Sequence, residues 1–478
     1  MTIVRKIAYN TVISTGARLF GVALSLISLG FIARYLGKEG FGSYSLIFAF
    51  LFTFDNLADF GLYTLMTREI SRPNADEKKI VSNIFALRIA VLIVFLGAAC
   101  ILIWFFPYPL EVKIGVLIAA ISSFFLSSGQ VLMGVFQKYL KTDKAAIADV
   151  AGRAIQLTLV ILFIKANLGL YGIIFGMIGG GFVNFLLLFI FAQRHVRFSL
   201  GFDFVYWKQI IKIAFPVAVS IVLTLIYFKI DSIFLSIPSI NSHSPNPISD
   251  VGIYNIAYRI LEGLIFFPAM LVGLIMPLLS SAAFNDLEKF KTIFKKTLDV
   301  LIIFIIPLII GLLLLAGPIV VLVGGKDFSA SAPVLQILGF AVGIIFLGSL
   351  FGSSIIALNK QKTGAWIYFS GMIFNIVTNL IFIPKYRYMA AAATTTCTEL
   401  LVTILMVVLI YKTIHYFPKP SIFKPILAGI IMGVFLWIFK GWNIFALAGL
   451  GAIIYFAALY LIKGIRKDEI MMLVKKEI

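Results

Sequence analysis

Apolar runs of membrane-spanning length recur from one end of this sequence to the other, and they set its solvent before any motif is read. Val91–Phe106 and Leu298–Ala316 are two of them. A helix of about 20 apolar residues crosses the hydrocarbon of a bilayer. Such runs make a chain of 478 residues that is 61% hydrophobic and only 13% charged, against about 25% charged in ordinary soluble domains. Those proportions exclude a soluble enzyme, a disordered chain and a disulfide scaffold. A membrane β-barrel needs strands of alternating polarity, which these runs lack. The expected fold class is an all-α integral membrane protein.

Polar and Pro/Gly punctuation divides the chain into fourteen predicted spans: 10–36, 41–67, 80–106, 114–137, 145–164, 169–192, 213–237, 251–280, 298–316, 331–358, 363–383, 388–411, 425–439 and 444–462. The connections are short, so no independent extramembrane domain is expected. Lys and Arg fix the orientation, because basic residues concentrate on the cytoplasmic side. With the N-terminus inside, 27 of the 40 basic residues fall in cytoplasmic segments and 7 in external ones. Both termini are therefore predicted to be cytoplasmic, in the cell membrane. Lys385 and Arg387 are the main exception, lying outside between spans 11 and 12. The net charge of +19 is then mostly a topology signal that also suits anionic membrane lipids, and it needs no nucleic acid.

A repeat runs through the chain. Gly42-Ser43-Tyr44 recurs as Gly252-Ile253-Tyr254, Lys141-Thr142 as Lys362-Thr363, and Lys165 as Lys385. The matches fall on equivalent helix ends and keep the same membrane side, so the repeat is parallel. It predicts an N-terminal lobe over 1–200, a C-terminal lobe over 201–415, and two added helices with a cytoplasmic tail over 416–478. Parallel repeats of this kind build transporters with a site between two lobes.

Several segments resemble the polysaccharide flippases of the multidrug/oligosaccharidyl-lipid/polysaccharide exporter superfamily. They are ARYLGKEGFGSYSL (33–46), DFGL (59–62) with Arg68-Glu69, GVFQKYLKTDKAAIADVAGRAIQ (134–156), and YFKIDSIFL (227–235) followed by VGIYNIAYRI (251–260). IPKYRYMAAA (383–392) departs from the pattern, which implies a glycine near Arg387 or Tyr388. The resemblance implies a transporter, not an enzyme. It would move a polyprenyl phosphate- or pyrophosphate-linked oligosaccharide to the external leaflet by alternating access, beside glycan-assembly proteins. A cation-coupled multidrug exporter and a lipid II flippase of the same superfamily are the nearest alternatives. A membrane glycan polymerase is a more distant one, since the external loop 238–250 offers only His243 and Asp250. No Walker loop, metal signature or nucleophile elbow is present.

Ionisable residues inside spans are functional candidates because burying them in lipid costs kilocalories unless they pair or line water. Arg18, Arg88 and Arg153 are candidates for an inner vestibule, where guanidiniums suit bidentate binding of a phosphate linkage, and Arg34 is a further cavity candidate. Asp149 sits four residues before Arg153 and can pair with it structurally. Arg34 and Asp299 lie near helix ends and can snorkel. An outward group comprises Lys229, Asp231, Tyr254, Tyr258, Arg259 and Glu262. Tyr254, Tyr258 and Glu262 share one stripe, as sugar recognition by aromatic faces and carboxylates requires, with interfacial anchoring of the tyrosines as the alternative. Asp55 and Asp59 share a helix face and are candidates for coupling to Na⁺ or H⁺, or for pairing with an arginine. Glu399, beside the Thr394–Thr398 run, reads as helix packing.

Overall fold

The structure, a computed structural model, describes residues 3–59, 61–418 and 420–464, with backbone alone for 3–15 and 215–228. Pro216 falls among the latter, and most of the expected C-terminal tail lies outside the described residues. All regular structure among the described residues is helical. The helices are α1 (Ile3–Asp59), α2 (Leu62–Ile70), α3 (Glu77–Leu102), α4 (Leu110–Lys138), α5 (Thr142–Lys165), α6 (Gly169–Gln193) and α7 (Phe204–Ser236). They continue with α8 (Pro247–Asn285), α9 (Leu287–Gly324), α10 (Ser331–Ala357), α11 (Gln361–Ile414), α12 (Phe423–Ile438) and α13 (Ile444–Leu461). Ten helical stretches are long and apolar enough to cross a membrane, and α12 is a shorter apolar helix.

Two of the predicted spans fall in each of the longest helical stretches. The chain between 10–36 and 41–67 turns at Gly37 (φ 64°, ψ −177°), within α1. The chain between 363–383 and 388–411 turns at Arg387 (φ 53°, ψ −135°), within α11. Each turn costs a single residue, so helix resumes at once on both sides. Glycine adopts the first conformation without a Cβ penalty. Arginine has no such freedom at the second. Elsewhere the ends follow ordinary chemistry. Asp76 and Asp203 accept the N–H of Lys79 and Tyr206 to cap α3 and α7. Left-handed residues Leu140, Asn167, Asn359 and His415 end α4, α5, α10 and α11.

The described chain forms two compact units. One runs to Asn255 and takes in Val323–Asp327 and Leu380–Arg387; the other comprises Ile256–Leu322, Phe328–Asn379 and the residues from Tyr388 on. In the first unit α5 and α6 meet through Gly152 and Gly180. A Cβ on Gly152 would lie 2.9 Å from the Gly180 carbonyl oxygen, and one on Gly180 would lie 2.8 Å from that of Gly152. Small residues let spanning helices approach this closely where no hydrophobic drive holds them together. In the second unit α12 and α13 pack with α9 around Leu315, Met432, Leu436 and Tyr455. The buried Tyr455 hydroxyl donates to the Ile303 carbonyl at 2.8 Å.

The first unit also shows which connections share an end. At one end Tyr35 bonds to Asn167 and to the N–H of Gly169, both at 2.9 Å, and Tyr108 bonds to Ser236 at 2.8 Å. Gly325, in the α9–α10 connection, lies against Arg34. At the other end Lys79 pairs with Asp203 at 3.0 Å, and both Lys138 and Tyr139 bond to Glu77. The Tyr139 hydroxyl is pushed up to about 12, first by that bond to Glu77. The turn in α1 thus gathers with the α5–α6 and α9–α10 connections. The connections before α3, α5 and α7 gather at the opposite end, as a chain alternating between two membrane faces requires.

Candidate functional site

Helix α1 carries the centre of the candidate site. Phe52, Asp55 and Asp59 follow at i, i+3 and i+7, hence on one face. Arg88 of α3 comes to that face with its Nη1 3.2 Å from Asp59, and its side chain is only 1% exposed. Its Nε donates to the Ser127 carbonyl at 3.2 Å, and the Ser127 hydroxyl donates to Asp55. Asp59 therefore takes the buried guanidinium of α3, and Asp55 the Ser127 hydroxyl of α4. Asp59 also accepts the N–H of Gly61 at 3.2 Å, across the break that ends α1.

Helix α7 meets the same face. Lys229, buried, places its ammonium 5.6 Å from the centre of the Phe52 ring, one helical turn from Asp55. Cation–π contact stabilises a desolvated ammonium there. Two residues on, Asp231 is 1% exposed and accepts the Tyr254 hydroxyl of α8 at 2.8 Å. Beside it Asn255 donates to Ser232 at 3.0 Å. Of the outward group expected from the sequence, Lys229 is the residue that reaches this face of α1; the buried Asp231–Tyr254 pair lies about 200° further round α7. Arg88, Asp55 and Asp59 make one polar group on that face of α1, with Lys229 beside it over Phe52.

The remaining candidates lie apart from it. Arg153 donates from Nε to both Asp149 oxygens, at 3.0 and 2.9 Å, and from Nη1 to Ser25. It docks α5 on α1 with over a third of its side chain exposed. Arg18 and Arg34 are exposed on α1. Arg259 pairs with Glu262 at 2.9 Å in the second unit, each about one-third exposed. Tyr254 and Tyr258 are both buried, at 1% and 2% exposure, whereas Glu262 on their stripe is half-buried. Asp299 accepts the N–H of Ser421 at 2.9 Å, tying α9 to the segment before α12.

One cluster was not paired from the sequence. Arg387 donates from Nε to Asp250 at 2.8 Å and from Nη2 to its other oxygen. Asn241 adds a third donor at 2.9 Å. His243, 3.4 Å from Ser242, sits 2.7 Å from the Pro384 carbonyl. Its signals were all present: two basic residues on the sparsely basic side, a lone acid in loop 238–250, and a missing glycine at Arg387.

Comparison with known proteins bears on what such a bundle does. The family model described as polysaccharide biosynthesis protein matches residues 7–284. A curated relative named as a probable low-salt glycan biosynthesis flippase, from Haloferax volcanii, is 21% identical over 402 residues, covering 79% of this chain and 78% of the relative. Among solved structures, the lipid II flippase MurJ in an inward closed conformation superposes with a TM-score of 0.76 at 19% identity, over 94% of this chain and 98% of that one. An inward-facing multidrug resistance transporter of the MATE family superposes with a TM-score of 0.67 at 14% identity, over 85% and 98%. At these identities the structural likeness establishes the fold.

Proposed function

Since the chain belongs to the polysaccharide biosynthesis protein family, a family of membrane transporters and not of enzymes, we propose that it flips a polyprenyl-linked oligosaccharide across the cytoplasmic membrane by alternating access. Both termini lie in the cytoplasm in this reading, after fourteen crossings that form two six-helix lobes and two added helices. The relative named as a glycan biosynthesis flippase supports the substrate class. The observation that carries the reading is the split of the arginines into two environments.

Arg88 is buried and already paired with Asp59, so its charge organises the bundle. Arg18, Arg153 and Arg259 keep a third or more of their surface or stand exposed. An exposed guanidinium presents two parallel N–H donors to a phosphate, and its own carboxylate partner can be exchanged for the ligand. We assign phosphate capture to these three, and to Arg34 just before the turn at Gly37 in α1. Half-buried Glu262 is the sugar-hydroxyl acceptor in this reading, whereas Asp231, Tyr254 and Tyr258 are buried and serve helix packing. The lipid tail needs no site, because it stays in the hydrocarbon throughout.

Asp55 and Asp59 are the proposed coupling groups. Asp59 pairs with Arg88 whereas Asp55 accepts the Ser127 hydroxyl, so Asp55 is the carboxylate that Na⁺ or H⁺ would neutralise. A cationic-drug exporter calls for carboxylates open to an organic cation, whereas Asp59 faces Arg88; this favours the anionic lipid. Lipid II remains the other substrate to compare, since it offers the same pyrophosphate and sugar.

The test is headgroup accessibility in proteoliposomes. A polyprenyl-pyrophosphate oligosaccharide becomes accessible to an external glycosidase as it flips, and lipid II serves as the parallel substrate. Replacing Arg18, Arg153 and Arg259 together with alanine is expected to lower the rate at least tenfold. An unchanged rate overturns the basic-site assignment. A wild-type protein that moves neither lipid overturns the function.

A further inference from the structure

The first turn of α8 is held on two opposite faces. Ile248 and Gly252 lie four residues apart, on one face, and meet α1. A Cβ on Gly252 would collide with the Lys38 carbonyl oxygen, and a Cβ on Gly42 would collide with the Ile248 carbonyl oxygen. The contact is reciprocal: the offset that relates Gly42 to Gly252 also relates Lys38 to Ile248. Two helix starts related by the repeat thus cross backbone to backbone, and only residues without a side chain fit there.

Asp250 lies midway between Ile248 and Gly252 and so points away from α1, at about 100° of turn per residue. It is fully buried and takes both guanidinium donors of Arg387 together with Asn241. Arg387 holds a backbone conformation that favours glycine, so the bond to Asp250 supports a local strain. The repeat supplies a counterpart. Lys165 matches Lys385, which sets Asn167 (φ 54°) against Arg387 (φ 53°). Asn167 binds Tyr35, beside the turn in α1. Each half of the repeat therefore ties the connection before its sixth helix to the connection before its second. The first half uses a neutral, exposed hydrogen bond, and the second a buried bidentate ion pair.

We propose that Arg387–Asp250 and Tyr35–Asn167 are tethers that stay closed through the transport cycle, and that this end of the protein opens by parting at the Gly42/Gly252 crossing. The proposal rests on the alternating-access reading and adds where the parting occurs. A bidentate, buried ion pair is expensive to break because it leaves a charge unpaired in a dry site. A crossing between two backbones with no side chain interleaved carries no such penalty. Arg387 is then a positioning residue: it makes the start of α8 travel with α11, and it touches no substrate.

Cross-linking separates the two kinds of contact. In one variant Lys38→Cys and Ile248→Cys span the crossing; in the other Asp250→Cys and Arg387→Cys span the tether. Each is reconstituted and joined by a short thiol-specific bifunctional reagent with a cleavable disulfide, with flipping assayed before joining, after joining and after reduction. Joining across the crossing is expected to stop flipping, and reduction to restore it. Joining across the tether is expected to leave the rate within about twofold of the same variant before joining. The proposal is overturned if the joined tether stops flipping, or if the joined crossing does not.

Should the tether variant fold poorly, Arg387→Gly is the second measurement, since glycine suits the backbone there. Spin labels on α8 and α11 are expected to hold one distance in the wild type and to spread in Arg387→Gly; equal spreads in both proteins overturn the tether. Failure of the underlying reading has a different signature, namely no flipping by the unmodified chain.

Discussion

Arg88 and the exposed arginines separate at the level of single side chains. Removing Arg88 leaves Asp59 and Asp55 without that guanidinium in a partly buried site, and breaking a buried pair costs at most about 3–5 kcal/mol. Arg88→Ala is therefore expected to lower the unfolding temperature in detergent sharply and to reduce yield. Arg18→Ala and Arg259→Ala are expected to leave that temperature unchanged and to lower flipping. A substitution at Arg88 that slows flipping with no change in stability would reverse the assignment. Each of these side chains was identifiable in the sequence as an ionisable group within an apolar span. Their partners were less so. Asp149 and Arg153 were legible because they are four apart on one helix. Arg387 and Asp250 stand 137 residues apart, and only the folded backbone brings them together. Phe52 carried no signal at all, since a phenylalanine among 46 does not announce the one lysine above it.

Helices were read more reliably than side chains because the bilayer constrains them more. An apolar segment must satisfy its own backbone in lipid and so is helical throughout; predicted and observed ends accordingly agree within several residues for most elements. What hydropathy does not encode is continuity. The turns at Gly37 and Arg387 each use one residue, so two predicted spans merge into each of α1 and α11. Packing between elements gives two further tests. Gly152→Leu forces a side chain against the Gly180 carbonyl and is expected to destabilise the α5–α6 pair by about 1–3 kcal/mol, the usual cost of overpacking. Thermal unfolding in detergent reads it.

The cap of α7 gives a pH dependence. The Tyr206 N–H and then Lys79 hold Asp203 below its usual value. A carboxylate lowered in the folded state stabilises above its ordinary value, and that contribution disappears as pH falls through the lowered one. Protection of the Tyr206 amide from hydrogen exchange is expected to weaken in acid for the wild type. In Asp203→Asn, which caps without ionising, it is expected to stay level over the same range.

For the whole molecule, the two ends of the first unit make orientation testable. Lys113 belongs to the end that gathers the turn in α1, and Lys79 to the end where Asp203 caps α7. The proposed orientation, both termini cytoplasmic, predicts that a membrane-impermeant thiol reagent applied to intact cells labels Lys113→Cys and spares Lys79→Cys. The reverse pattern would invert the protein and the direction of transport with it. The Gly42/Gly252 crossing adds a constraint of another kind. Only four residues separate Gly37, where the helix restarts, from Gly42, where it must present a bare backbone. One residue more or fewer in that interval rotates the helix by about 100° and brings the side chain of Phe41 or of Ser43 toward Ile248. The spacing between the turn and the crossing therefore works as a ruler. Length changes there should be far less tolerable than substitutions, however freely the composition of the surrounding apolar sequence drifts.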